Sequence, residues 1–294
     1  MKPIASPAFF IGRGDDDLIS FGSGQPDLPP PPSAFSVLEH FKSFRYGLVQ
    51  GEEALRTEIA KEYPYALPED IVITNGASEA IDLTLRVISE GAPGSRFLLP
   101  RPYYYSYPHN VALASMTPTY TELDKGKLDF ERFKTDVEGC SGVLINSPSN
   151  PTGAVQEVET LKHIESYCEE RGIYIVSDEV YKDLIYVREN YLLHGKRVVT
   201  INSFSKTYAM CGLRVGYIYS KDNDFIDRVI EVKSHTSMNT SLVGQAMALA
   251  AIEERGDYIT THAAIWRARR DFMYQGMLDI GLDLWEPEGA FYVL

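Results

Sequence analysis

Residues 143–181 read VLINSPSNPTGAVQEVETLKHIESYCEERGIYIVSDEVY. The stretch is a short apolar run, a turn, a helical pattern and a second apolar run. The runs at 143–145 and 173–176 are continuous in apolar character, as strands buried on both faces are. Between them Val158, Leu161, Ile164 and Cys168 fall on one helical stripe. Buried strands joined by an amphipathic helix belong to a parallel sheet covered on both sides.

The pattern extends in both directions. Upstream, 71–74 (IVIT) precedes a helical stretch, 77–90, with Ile81, Leu85 and Ile88 on one face. The run at 97–99 precedes a tyrosine-rich segment, 103–107, whose tyrosines alternate faces if it is extended. Downstream come 198–201 (VVTI) and 217–219, and after Lys233 the pattern turns helical. There Leu242, Val243, Ala246, Leu249 and Ala250 form one stripe, and a charged helix is expected over about 257–279. The last residues, 289–294 (GAFYVL), read as a strand. The proline-rich segment 22–33 reads as an extended arm, because proline fixes φ and removes donors. The expected class is α/β, a mostly parallel central sheet flanked by helices, with a smaller, incomplete α/β domain.

Composition narrows the function. Of 294 residues 44% are apolar and 23% charged, a globular mix, and the formal charge is −13. That field repels polyanions, which excludes a nucleic-acid binder working by phosphate neutralisation. Cys140, Cys168 and Cys211 are odd in number and widely spaced, so they suggest neither a disulfide framework nor a metal site. His109, His163 and His194 have no partners at metal-ligand spacing and read as structural or surface residues. Residues 1–14 lack a secretory apolar run, and no stretch approaches the roughly 20 apolar residues of a membrane span. A cytoplasmic protein is expected.

In open parallel sheets, ligands bind beyond the carboxyl ends of the strands. Five such ends here carry Asn75-Gly76-Ala77-Ser78, Tyr103-Tyr104, Asn150-Pro-Thr-Gly153, Asp178-Glu-Val-Tyr181 and Ser203-Phe-Ser-Lys206. They bring a helix N-terminus, aromatics, an amide, a carboxylate and an amine to one edge. Singly, each has an ordinary reading: a helix cap, packing aromatics, a turn, a salt-bridged aspartate, a solvated lysine. The order and common location of all five point to a site. A helix start can hold a phosphate on its free N–H groups, and Arg214, in Gly212-Leu-Arg-Val-Gly216, can grip the same anion with a planar fork.

Ser203–Lys206 followed by Gly212–Gly216, with Asn150–Gly153 and Asp178–Tyr181 upstream, resembles the class I/II aminotransferases of the aspartate aminotransferase superfamily, pyridoxal-phosphate enzymes of fold type I. The resemblance runs from Gly24-Gln-Pro-Asp27 to the end of the chain. It implies that Lys206 carries pyridoxal 5'-phosphate covalently and shuttles a proton, and that Asp178 pairs with the pyridine nitrogen. It further implies that Tyr181 and Asn150 hold the ring's phenolic oxygen, and that Tyr104, or Tyr103 in a shifted register, stacks on the ring. Gly76, Ala77, Ser78, Ser203 and Arg214 would bind the phosphate. Tyr46 matches a tyrosine that reaches the neighbouring subunit's phosphate, which implies a homodimer. Gly24 and Asn150 would lie near the substrate carboxylate.

The implied reaction moves an amino group between an L-amino acid and a 2-oxo acid by a ping-pong route. A β-lyase, decarboxylase or cyclase on the same scaffold is the nearest alternative, because these motifs bind cofactor rather than substrate. A non-catalytic sensing domain is disfavoured because it would need a DNA-binding module, for which the chain lacks the basic charge, and a catalytically dead relative is disfavoured because Lys206, Asp178 and Arg214 are all present. The implied domains are an arm and part of the small domain (1–32), a large cofactor-binding domain (33–256), and a connecting helix with the start of the small domain (257–294). Family members continue beyond Gly-Ala-Phe-Tyr into a part with a carboxylate-binding arginine. The expectation is therefore a fragment that binds cofactor but holds substrate weakly, unless a residue such as Arg13 substitutes.

Overall fold

Strand β1 (Ile71–Thr74), helix α3 (Gly76–Gly91) and strand β2 (Arg96–Arg101) open the sheet domain in a computed structural model that describes residues 24–186 and 190–294. Two helices precede them, α1 (Pro32–His40) and α2 (Glu53–Ala60). Then follow α4 (Tyr107–Leu113), β3 (Thr117–Glu122), α5 (Phe130–Asp136), β4 (Cys140–Asn146), α6 (Val158–Arg171), β5 (Tyr174–Asp178), β6 (Val198–Ser203) and β7 (Gly216–Tyr219). Helices α7 (Asn223–Thr236), α8 (Leu242–Glu253) and α9 (Arg255–Asp279) complete the order. The arm before residue 24, and Arg13 with it, lie outside the described residues.

Among the described residues seven strands form one sheet in the order β1-β7-β6-β5-β4-β2-β3. β7 runs antiparallel to β1 and β6, and every other pairing is parallel. Register places the site. Asn146 at the end of β4 pairs with Asp178 at the end of β5. Gly216, the first residue of the reversed strand β7, pairs with Thr74 on one side and Ser203 on the other. The ends of β1, β4, β5 and β6 and the start of β7 therefore share one edge.

Alternation along the strands fills both faces. Val72, Phe97, Leu99, Leu144, Val176, Val199, Ile201 and Ile218 pack against α3, α4 and α7. On the opposite face Leu98, Val143, Ile145 and Ile175 pack with Phe133, Leu161, Ile164 and Cys168 of α5 and α6. Ile71, Ile73, Tyr217 and Tyr219 pack with α2 and α8. Each fully buried Leu, Ile or Phe contributes roughly 1.5–3 kcal/mol of burial energy. The arm segment from 24 to 31 is extended and tied to α9 through Arg269–Asp27 at 2.6 Å and Tyr258 Oη to the Pro29 carbonyl at 2.8 Å.

Five features differ from the sequence reading. Strand β3, Thr-Pro-Thr-Tyr-Thr-Glu, has no apolar run because it lies at the sheet edge, where proline is tolerated. Helix α7 starts at Asn223, well before Lys233, capped by Asp222 accepting from Phe225 N. The fully buried side of α8 is Gly244, Gln245, Met247, Ala248, Ala251 and Ile252, while Leu242, Val243, Ala246, Leu249 and Ala250 are only half-buried. Residues 289–294 form no strand; only a single bridge joins Gly289 to Ile185. Their backbone bonds go to loops, because Gly289 lies so close to the Leu184 carbonyl and Pro148 that a Cβ there would sit 2.7 Å from each. The tyrosine run also is not extended: β2 ends at Arg101 and the chain turns into α4.

Candidate active site

Asp178 ends β5 and is buried. It accepts a hydrogen bond from Tyr107 Oη at 2.8 Å and from Val180 N at 3.2 Å. Burial pushes its carboxyl up to about 6 against those bonds and the field of Lys206. The Tyr107 phenol is pushed above its ordinary range, first by burial and then by Asp178, so it stays a donor. Asn146 steadies the neighbouring strand end: its Nδ2 donates to the Asp178 carbonyl at 2.9 Å and its Oδ1 accepts from Asn150 N at 2.7 Å. Neither Tyr107 nor Asn146 was singled out for the site from sequence. Their signal is position alone, one opening α4 and the other ending β4.

Lys206 sits in the tight turn between β6 and β7. Ser203 N donates to Asn202 Oδ1 at 2.7 Å, Phe204 N to the Val215 carbonyl at 3.0 Å, and buried Phe204 stacks on Tyr208. The Lys206 amine donates to the Gly24 carbonyl and lies 5.9 Å from the Tyr181 ring centre and 5.7 Å from that of Phe291. Partial burial lowers its pKa; Asp178 opposes that shift and Arg214 adds to it. Thr207, the next residue, donates to Asp183 at 3.0 Å. Lys182 bridges Asp183 and Glu62, and Glu62 pairs with Arg255 at the start of α9. The lysine turn is thus braced from behind by an ion-pair chain.

Arg214 and the N-terminus of α3 make a third part. Gly76 has φ +76°, and a Cβ there would lie 2.4 Å from Arg214 Nη2. At Gly216 a Cβ would lie 2.7 Å from Gly76 C, 2.8 Å from Ala77 N and 2.8 Å from the Asn202 carbonyl. Two glycines therefore let β7 and the exposed guanidinium close on the start of α3. No side chain caps that helix start, because Asn75 turns instead to Glu79, whose charge Lys233 answers at 2.8 Å. Its first-turn N–H groups remain for an anion.

The remaining candidates divide. Buried Tyr181 hydrogen-bonds through its hydroxyl to Tyr292 at 2.7 Å; burial, then Tyr292 and Asp178, push its phenol above the ordinary range, and the Asn150 side chain opposes them. Half-buried Tyr104 meets Tyr107 edge-on at 5.4 Å and feels the charge of Asp178. Tyr103 instead stacks on Tyr120 of β3, which favours Tyr104 for the site. Ser203 is buried beside the cradle and Ser78 is exposed at its rim. Gly24 lies over Lys206, and a Cβ there would strike the Tyr292 hydroxyl. Tyr46 is not brought to this site: it is 80% exposed, beside Phe44 at 90%, on a groove lined by Met238, Leu242 and Val243. Tyr292 was not expected from sequence, because its segment reads as an ordinary strand.

A carboxyl held in apolar surroundings, a partly desolvated amine and an anion cradle fit the ring nitrogen, aldehyde carbon and phosphate of pyridoxal phosphate.

Comparison with known proteins agrees. The model of the family "Aminotransferase class I and II" matches residues 16–294. A probable aspartate aminotransferase of Methanocaldococcus jannaschii is 32% identical, over 100% of this chain and 82% of its own length. The aspartate aminotransferase of Thermotoga maritima is 31% identical, over 100% of this chain and 80% of its own. A double mutant of Thermus thermophilus aspartate aminotransferase superposes with a TM-score of 0.91 at 28% identity, covering 100% of this chain and 82% of that one.

Two outcomes are expected. Gly216→Ala should push β7 off α3 and weaken pyridoxal phosphate binding about 10-fold or more, since forced overpacking costs roughly 1–3 kcal/mol. Fluorescence titration with circular dichroism as a fold control measures it. The second concerns pH. Asp178 is raised from 3.8 to about 6 and Glu179, buried behind it, from 4.5 to about 8. Raised acids stabilise the fold below their unfolded values, and that stability is lost as pH rises through the folded values. Cofactor-free protein should therefore lose stability between about pH 4 and 8. Asp178→Asn should match the parent near pH 4 and exceed it at pH 8 by about 1–3 kcal/mol, read from urea unfolding at each pH.

Proposed function

The chain belongs to the class I and II aminotransferases, and from that membership we propose the part each residue plays. The enzyme is a pyridoxal-phosphate-dependent transaminase that moves an amino group between an amino acid and a 2-oxo acid by a ping-pong route. The observation that carries the residue roles is the setting of Asp178 and Lys206. Both lie at one sheet edge, and no ion pair within 4 Å reaches either among the described residues.

When bound, the cofactor's pyridine ring supplies an electron sink that lets the amino-acid Cα release its proton. Asp178 keeps a proton on the ring nitrogen, and Tyr107 fixes the carboxylate's direction. Lys206 binds the cofactor covalently, and its Nζ takes the Cα proton and returns it. Arg214, Ser203 and the N–H groups at Gly76, Ala77 and Ser78 hold the phosphate, leaving the ring little freedom to tilt. Tyr181 and Asn150 bond the phenolic oxygen, and Tyr104 covers the ring and excludes water. Gly24 and Asn150 face the substrate carboxylate.

Tyr46 and Phe44, exposed on an apolar groove with half-buried Leu242 and Val243, support a homodimer in which Tyr46 serves the partner's phosphate. The division at 33 and 257 is part of the same reading, supported by α9, which buries none of its 25 residues. Among the described residues no helix is long and apolar enough to cross a membrane, and a cytoplasmic location is proposed. Aspartate is proposed as amino donor, since relatives of this chain carry that name.

Borohydride reduction of the holoenzyme and peptide mapping should place the pyridoxyl label on Lys206; a label on another lysine would overturn the assignment. Saturating aspartate without an acceptor should release one oxaloacetate per site and then stop. Release from another amino acid but not from aspartate would reassign the substrate.

A further inference from the structure

Tyr292 lies past α9, on a segment fastened to the two loops that carry Asn150 and Tyr181. Glu288 N and Gly289 N both donate to the Gly153 carbonyl at 2.8 Å. Ala290 N donates to the Leu184 carbonyl at 2.8 Å, Tyr186 N to the Glu288 carbonyl at 2.9 Å, and Tyr186 Oη to the Ala290 carbonyl. These bonds hold the Tyr292 ring edge-on to Tyr181, centres 5.6 Å apart at 86°, with the hydroxyls 2.7 Å apart. On its other side the Tyr292 hydroxyl abuts the Cα of Gly24. A Cβ at 24 would lie 2.0 Å from that oxygen and 2.8 Å from Cζ. The requirement for glycine at 24 is therefore space for this phenol.

We infer that Tyr292 is a positioning residue for Tyr181, fixing the direction in which the Tyr181 hydroxyl donates and linking that direction to the arm at Gly24. The inference rests on the reading of Tyr181 as partner of the cofactor's phenolic oxygen. Each phenol has one proton to give. When Tyr181 spends its proton on the cofactor, the short contact to Tyr292 persists as a hydrogen bond only if Tyr292 donates. Among the described residues Tyr181 is the hydrogen-bond partner of the Tyr292 hydroxyl. A phenol that accepts one hydrogen bond is a stronger donor in the next. Gly24 closes the loop, because its carbonyl takes the Lys206 amine while its Cα backs Tyr292. The titratable groups facing the pair are Asp178 of β5, Tyr104 before α4, and Cys211 and Lys206 of the β6–β7 turn.

The test titrates the absorbance of holoenzyme-bound cofactor with pH. A donor to the phenolic oxygen favours the deprotonated form and lowers the midpoint. Tyr181→Phe should raise the midpoint by about one unit or more, and Tyr292→Phe, which keeps the ring and its packing, by about half a unit. Gly24→Ala should displace Tyr292 and raise it in the same direction. Because both changes break one contact, the double variant should shift no further than the larger single. A shift in Tyr181→Phe with none in Tyr292→Phe would overturn the inference and leave the Tyr181 reading standing. Additive shifts in the double variant would also overturn it. No shift in Tyr181→Phe would remove the Tyr181 reading and this inference with it.

Discussion

A carboxylate at the end of a strand buried on both faces has little water to solvate it, and the site is arranged around that constraint at Asp178. Left alone the group would take up a proton. Tyr107 and Val180 N stabilise the charged form only in part, since burial still holds the carboxyl near 6. Such an incompletely answered charge suits a ligand that brings a proton or a positive charge of its own. The sheet makes the arrangement possible: parallel β4, β5 and β6 end together, and reversal of β7 sends Arg214 to the same edge from the opposite direction.

Opposite demands meet at Lys206. Its amine must lose hydration without losing its place. The turn is therefore braced by Phe204 packed beneath it and by the chain Thr207–Asp183–Lys182–Glu62–Arg255. Lys182 and Glu62 are nearly inaccessible, at 6% and 5% of side-chain exposure, so removing one partner would strand a buried charge. Arg255 begins α9, so the brace reaches the helix that leads toward Tyr292. The cradle is simpler: it depends on absent side chains at Gly76 and Gly216.

The sheet was legible in the sequence wherever a strand is buried on both faces, as 71–74, 143–145, 173–176 and 198–201 are, because burial alone writes a continuous apolar run. Strand β3 was not, since an edge strand of Thr, Pro and Glu carries no such run. The end of the chain misled for the converse reason: Ala-Phe-Tyr-Val-Leu has strand composition, yet Ala290 bonds the loop at Leu184 and Tyr186, more than a hundred residues away, instead of pairing with a strand. Lys206, Asp178, Asn150, Tyr181 and Arg214 stood out as candidates because each follows a strand end or sits in a motif. Tyr107, Asn146 and Tyr292 were not, because their roles come from contacts across 71, 32 and 111 residues of chain. Tyr46 has no such contact here and faces outward.

The central claim is that Asp178 holds a proton on the cofactor's ring nitrogen. Nitrogen-15 NMR of the holoenzyme loaded with ring-labelled pyridoxal phosphate tests it directly. The account predicts a protonated nitrogen at pH 8 in the parent and an unprotonated one in Asp178→Asn at the same pH. The same chemical shift in both proteins would contradict it.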